Sequence, residues 1–93
     1  MSEVSGTSIP KLPRGVRLHF DQVRQAHVLL APERAFNVDG NAVAVLQLVD
    51  GTRSVDDIAG VLAEKYAADK SVIARDIGKM IDDLIAKRVM EAA

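Results

Sequence analysis

Cysteine is absent from the chain, which removes disulfides, thiolate metal sites, iron–sulfur ligation and a cysteine nucleophile together. Tryptophan is absent as well, and Phe20, Phe36 and Tyr66 are the only aromatic residues. That leaves no stacking platform for single-stranded nucleic acid or a planar cofactor, and no cofactor is expected. No apolar run approaches the roughly 20 residues needed to span a bilayer. The start, Met1 to Ile9, is polar rather than a basic-plus-hydrophobic signal segment, so a cytoplasmic protein is expected. A surplus of either charge is also missing: 12 Lys and Arg against 13 Asp and Glu give a formal net charge of -1. No global positive field draws the chain to phosphate backbones or anionic membranes, and neither is an expected partner.

What is present is aliphatic. With 93 residues, 48% of them hydrophobic, the chain is long enough for one compact core and too short for two. Residues 1–13 mix Ser, Gly, Thr and Pro without an apolar period, which predicts a flexible N-terminal segment followed by a single domain over residues 14–93. From Val16 the pattern alternates, with Val16, Leu18 and Phe20 on one side and Arg17 and His19 on the other, the period of a half-buried strand. A second strand is expected over Ala26 to Ala31. A polar loop from Asp21 to Gln25 sets Phe20 opposite Ala26, Leu18 opposite Val28 and Val16 opposite Leu30. A three-residue turn, Pro32-Glu33-Arg34, then leads to a third strand, Ala35 to Val38, with Phe36 opposite Leu30 and Val38 opposite Val28.

Helical spacing takes over at Asp39, a cap for a helix through Asn41 to Val49 that stops at Asp50-Gly51. Ser54 opens a second helix with apolar positions Val55, Ile58, Val61, Leu62 and Tyr66, and Asp57 falls three residues after the cap. The third and longest helix is predicted from Ser71, read as its cap, to Arg88. It carries one stripe at Ile73, Ile77, Met80 and Leu84, taken as core, and a second, roughly a quarter turn away, at Ala74, Gly78, Ile81, Ile85 and Val89. Three strands and three helices predict an α+β domain, a three-stranded antiparallel sheet followed by a three-helix bundle.

In such a meander the third strand is a sheet edge, and its unpaired backbone can accept an extended peptide as an added strand. A third helix lying along that edge with its second stripe turned toward it would complete a groove. Ala74 and Gly78 would allow close approach, and Ile81 and Ile85 would supply apolar contacts. Arg75 and Lys79, one turn apart, would guide an acidic peptide, although charges of mixed sign on a helix more commonly mark a solvated face. His19 and His27 are predicted to face each other across the first hairpin, but two histidines without a third ligand do not make a metal site. Ser54 and Ser71 read as caps rather than nucleophiles, and Asp56-Asp57 and Asp82-Asp83 are adjacent rather than opposed across a cleft. No enzymatic chemistry is expected.

Three segments carry a family resemblance: Arg14-Gly15-Val16-Arg17-Leu18-His19-Phe20, then Gln25-Ala26-His27-Val28-Leu29-Leu30-Ala31-Pro32-Glu33, then Leu46-Gln47-Leu48-Val49-Asp50-Gly51-Thr52-Arg53-Ser54-Val55. In order and spacing they resemble the PqqD family of RiPP recognition elements, across nearly the whole chain after Pro13, and Leu-Val-Asp-Gly-Thr-Arg is the most distinctive string. The resemblance implies a winged helix-turn-helix-like domain that acts as a peptide chaperone in pyrroloquinoline quinone (PQQ) biosynthesis. It would bind the precursor peptide PqqA and deliver it to the radical SAM enzyme PqqE. By that resemblance the peptide-binding surface would comprise Arg34, Ala35, Phe36, Asn37 and Val38 with Ala74, Arg75, Gly78, Ile81 and Ile85. The chain departs from the family pattern at Arg34, where Gly is common, and at Val89-Met90, where an aromatic residue is common. Two alternatives share the architecture: a winged-helix DNA-binding regulator, which Asp76, Asp82 and Asp83 on the third helix argue against, and a dimerisation module whose edge and second stripe form a homodimer interface.

Overall fold

The structure, a computed structural model, describes residues 5–92. The architecture is α+β, in the order β1 (Pro10–Lys11), β2 (Arg17–Asp21), β3 (Ala26–Ala31), β4 (Arg34–Asn37), α1 (Gly40–Leu46), α2 (Val55–Tyr66), α3 (Lys70–Ala86) and β5 (Glu91–Ala92). There are two antiparallel sheets rather than the one expected: β2-β3-β4, and a short ribbon in which β1 pairs with β5. Among the described residues no helix is long and apolar enough to cross a membrane.

The ribbon takes in Pro10 and Lys11, from the stretch of residues 1–13 that composition predicts to be flexible; Met1 to Val4 lie outside the described residues. Pro10 pairs with Ala92 and Lys11 with Glu91. Pro10 is fully buried and Leu12 packs against the core. Just before the ribbon, the carbonyls of Ser8 and Gly6 accept the Val55 and Asp56 N–H groups at 2.9 Å each, two of the donors that the start of α2 cannot satisfy within the helix. A two-residue strand has no period to detect, and proline at a sheet edge loses no ladder bond.

Both hairpin registers differ from the expected ones by one residue. Asp21 closes on Ala26, so Leu18 faces Leu29 and Phe20 faces His27. Arg34 closes on Ala31 across a two-residue turn, so Phe36 also faces Leu29 and Ala35 faces Leu30. The turns explain this. The Asp21 carboxylate accepts the Val23 and Arg24 N–H groups at 3.0 and 3.3 Å, and Gln25 is left-handed at φ 55°, which draws Asp21 out of the loop and into the strand. The Glu33 N–H donates to Ala31 O at 3.0 Å, a tight closure about Pro32 that releases Arg34 to β4 without a positive φ. A one-residue slip exchanges the faces of a strand. Leu29, fully buried, therefore replaces Val28 and Leu30 in the main core cluster, and Val28, 7% exposed, is buried outside that cluster.

The helical caps follow the local chemistry. Asp39 accepts the Ala42 N–H at 2.8 Å, and Ser54 and Asp57 form a reciprocal capping box, with bonds of 3.1 and 3.0 Å. Helix α1 ends at Leu46 instead of Val49 because the Leu48 and Val49 N–H groups turn to the tighter acceptors Val45 O and Leu46 O. Asp69, rather than Ser71, caps α3; the Ser71 hydroxyl and N–H both donate to the Asp69 carboxylate. At its other end α3 closes in a Schellman motif. Val89 N–H reaches Leu84 O, Arg88 N–H reaches Ile85 O, and Arg88 holds the left-handed position at φ 63°. This turn sends Val89 and Met90 into the core, 0% and 3% exposed, before the chain enters β5.

The string Leu48-Val49-Asp50-Gly51-Thr52-Arg53 forms the α1–α2 connection. Asp50 Oδ1 accepts the Arg53 N–H, the Thr52 N–H and the Thr52 hydroxyl, each at 2.9 Å. Gly51 takes φ 82°, and Arg53 donates to Leu48 O at 3.3 Å. The Arg53 N–H first, then the two Thr52 donors, lower the Asp50 carboxyl from its ordinary 3.8 to about 2. A carboxyl lowered on folding contributes stability that is present above its unfolded value and is lost as pH falls through its folded value. The melting-temperature advantage of wild type over Asp50→Asn should therefore be constant above about pH 4 and shrink toward pH 2, as thermal melts across that range would show.

Candidate functional site

Strand β4 is one edge of the three-stranded sheet, and an open groove of about 550 Å³ runs between it and α3. The β4–α1 side supplies Phe36, Val38, Asp39, Ala42 and Val45, and α2 supplies Leu62 and Tyr66. Helix α3 supplies Ile73, Asp76, Ile77, Met80, Asp83 and Leu84, with Lys87 at its cap. At about 3.6 residues per turn, Ile73, Met80 and Lys87 form one line along the helix, with Asp76 and Asp83 beside it on the solvent side and Ile77 and Leu84 on the core side. The groove thus has an apolar floor and a charged rim, the composition of a surface that takes up an apolar segment and orients it by a few polar contacts.

The sequence-predicted surface is split by this arrangement. Phe36, Asn37 and Val38 line the groove as expected, and Arg34 stands at one end. Ala35 is exposed on the opposite sheet face, across from Leu30. None of the α3 residues assigned to the surface lines the groove. Ile81 is 0% exposed, at the centre of the core, and Ala74 and Ile85 pack against that core. Ala74, Arg75 and Gly78 line a separate crevice with Ser5, Gly6, Val55, Asp56, Lys79 and Asp82. Arg75 and Lys79 therefore lie on a flank other than the one facing β4.

The reason is rotational. Ile77, Ile81 and Leu84 are the buried centre of α3, lying between the two stripes. The groove then falls on the far side of the first stripe and the crevice on the far side of the second. Ile73 and Met80, core positions by helical period, are only partly buried and line the groove. Gly78 lies on the crevice flank rather than in the groove, and a Cβ there meets nothing within 4 Å. Gly78→Ala should raise unfolding stability by about 0.5–1 kcal/mol through helix propensity, measurable in urea, without touching the groove.

The two histidines are not paired as expected. His19 lies opposite Val28, while His27 meets Phe20 edge to face at 4.9 Å, so the imidazoles are on opposite sheet faces. Among the described residues no three His, Cys, Asp or Glu side chains converge as metal ligands. One end of the groove is tied across. Arg34 Nη2 donates to Lys87 O at 2.8 Å, and the Arg34 guanidinium and Lys87 ammonium stand 5.4 and 5.8 Å from the centre of the Phe36 ring. Lys87 also pairs with Asp83 at 2.8 Å.

The sequence profile of the family described as "Coenzyme PQQ synthesis protein D (PqqD)" matches residues 26–90. The chain is 58% identical over 87 residues to the bifunctional coenzyme PQQ synthesis protein C/D of Methylorubrum extorquens. It is 50% identical over 88 residues to the PqqA binding protein of Rhizobium meliloti. These alignments take in 94% and 95% of the chain; they span 23% of the bifunctional relative's length and 90% of the other's. The solution structure of the PqqD truncation of Methylobacterium extorquens PqqCD, described as a stand-alone RiPP recognition element, superposes with a TM-score of 0.86 at 56% identity, over 97% of this chain and 96% of that one. The crystal structure of PqqD from Xanthomonas campestris gives a TM-score of 0.59 at 43% identity, over 92% and 96% of the two chains.

Proposed function

The chain belongs to the PqqD family, and from that membership we propose that it is a non-catalytic chaperone of PQQ biosynthesis that binds PqqA in the β4–α3 groove and presents it to the radical SAM enzyme PqqE in the cytoplasm. The observation that carries this reading is an edge strand whose outer side borders an apolar groove. Main-chain pairing along such an edge supplies affinity, and alternate side chains dropping into the groove supply specificity. Relatives named as PqqA binding proteins support the identity of the peptide. The packing of α2 against α3 beside an antiparallel hairpin supports a winged helix-turn-helix-like arrangement. Asp76 and Asp83 along the open flank of α3 are poor neighbours for a phosphate backbone, which favours peptide over DNA. A homodimer formed through the β4 edge would compete with the peptide, and sedimentation with and without peptide separates the two.

The test is titration of isotopically labelled protein with a PqqA-type peptide, following backbone amides. Shifts are expected along Arg34 to Val38 and at Ile73, Asp76, Ile77 and Met80, with Arg75 and Gly78 unmoved. Silence at high peptide concentration, or shifts confined to the Arg75–Gly78 flank, would overturn the assignment.

A further inference from the structure

The groove is electrically polar along its length. Arg34 and Lys87 mark one end, and Asp39 and Asp76 line the other. The two ends are roughly 16 Å apart, measured either from Asp76 to Lys87 at about 1.5 Å per residue of helix or from Arg34 to Asp39 at about 3.3 Å per residue of extended chain. At the basic end two cations share one aromatic ring and, among the described residues, one carboxylate, because Asp83 pairs with Lys87 and no acidic side chain lies within 4.0 Å of Arg34. Among the described residues, the hydrogen bond that the Arg34 side chain makes across the groove end goes to the neutral Lys87 carbonyl. That carbonyl is available because the Schellman closure of α3 uses Leu84 O and Ile85 O instead. A guanidinium has five donors in a planar fork that can meet both oxygens of a carboxylate with two parallel bonds and opposite charge, whereas the carbonyl offers one neutral oxygen.

Resting on the peptide-binding reading above, we propose that the Arg34–Phe36–Lys87 corner reads an acidic side chain of the bound peptide: Arg34 leaves the Lys87 carbonyl for that carboxylate, and this exchange fixes the direction and register of the added strand. Asp39 and Asp76 enforce the same polarity by repelling an acidic residue at the far end. A guanidinium held over Phe36 is already placed, so little side-chain order is lost on capture.

The experiment is a coupling measurement. A PqqA-type peptide and derivatives with each Asp or Glu changed singly to Asn or Gln are titrated by calorimetry against wild type, Arg34→Gln and Lys87→Gln, which keeps the backbone carbonyl and removes the second cation. One exchange is expected to weaken binding to wild type about fivefold or more and to Arg34→Gln less than about twofold, with Lys87→Gln between them; added salt should narrow the difference. A merely structural Arg34, capping α3, would weaken every peptide alike in the Arg34→Gln variant. That pattern, or indifference of wild type to every exchange, overturns the inference and leaves the groove reading standing, whereas no binding of any peptide to wild type overturns both.

Discussion

Ile81→Ala should lower the unfolding free energy by about 2–5 kcal/mol and leave the affinity of the folded protein for its peptide unchanged. Ile81 is 0% exposed and belongs to one cluster with Leu29, Val45, Leu46, Ile58, Leu62, Ile77, Leu84 and Val89, so the truncation removes buried methylene and methyl groups and opens a cavity in the middle of the domain. For a chain of this length each kcal/mol moves the melting point by about 4–8 °C, so a fall on the order of 10 °C or more is expected. Ile81→Val, which removes one methyl carbon, should cost only about 0.5–1.5 kcal/mol. Urea denaturation of the three proteins, with peptide titration well below each midpoint, gives both quantities. Were Ile81 a groove contact, the order would reverse: affinity would fall and stability would hardly change.

Met80→Glu should do the opposite, weakening peptide binding at least about tenfold, near 1.4 kcal/mol, while the domain still melts cooperatively. Met80 is partly buried on the groove wall, between Asp76 one turn before it and Asp83 nearly one turn after it. A carboxylate there is tolerated in the free protein because the groove is open to water. A peptide laid over it would strip that water from an unpaired charge, and three acidic side chains on one flank repel each other more strongly as the dielectric falls. Calorimetric titration beside a thermal melt separates the two effects, and unchanged affinity would mean that the peptide does not lie on this flank of α3.

Much of the fold was legible because its signals are local. The span of β3, the Asp39 cap and the Ser54–Asp57 capping box all appear where side-chain chemistry predicts them. The β4 half of the groove was legible for the same reason, since the third strand of a meander has an open edge whichever register it adopts. Val28, Leu29 and Leu30 are apolar in succession, so alternation could not say which of them points inward. The Asp21 turn and the closure about Pro32 decided it. The ribbon of Pro10–Lys11 with Glu91–Ala92 joins the two ends of the chain, and no local pattern announces a pairing of that separation.

By itself the sequence determined the types of the elements from β2 to α3, most of the caps, the aliphatic character of the core, the absence of cysteine chemistry and the string at Asp50 that ties α1 to α2. The face that α3 turns to the groove was decided by tertiary structure alone. Helical periodicity reports that α3 is apolar over a wide arc, but the arc has two flanks of similar composition, and only the packing of α2 and the sheet against Ile77, Ile81 and Leu84 leaves Ile73 and Met80 beside β4 and turns Ala74 and Gly78 away. Strand alternation carries the same two-fold ambiguity, resolved by the two hairpin turns, whose register leaves Leu29 on the buried face. A local period fixes spacing along an element, and the rotation of that element about its own axis is set by the free energy of burying one side of it against its neighbours.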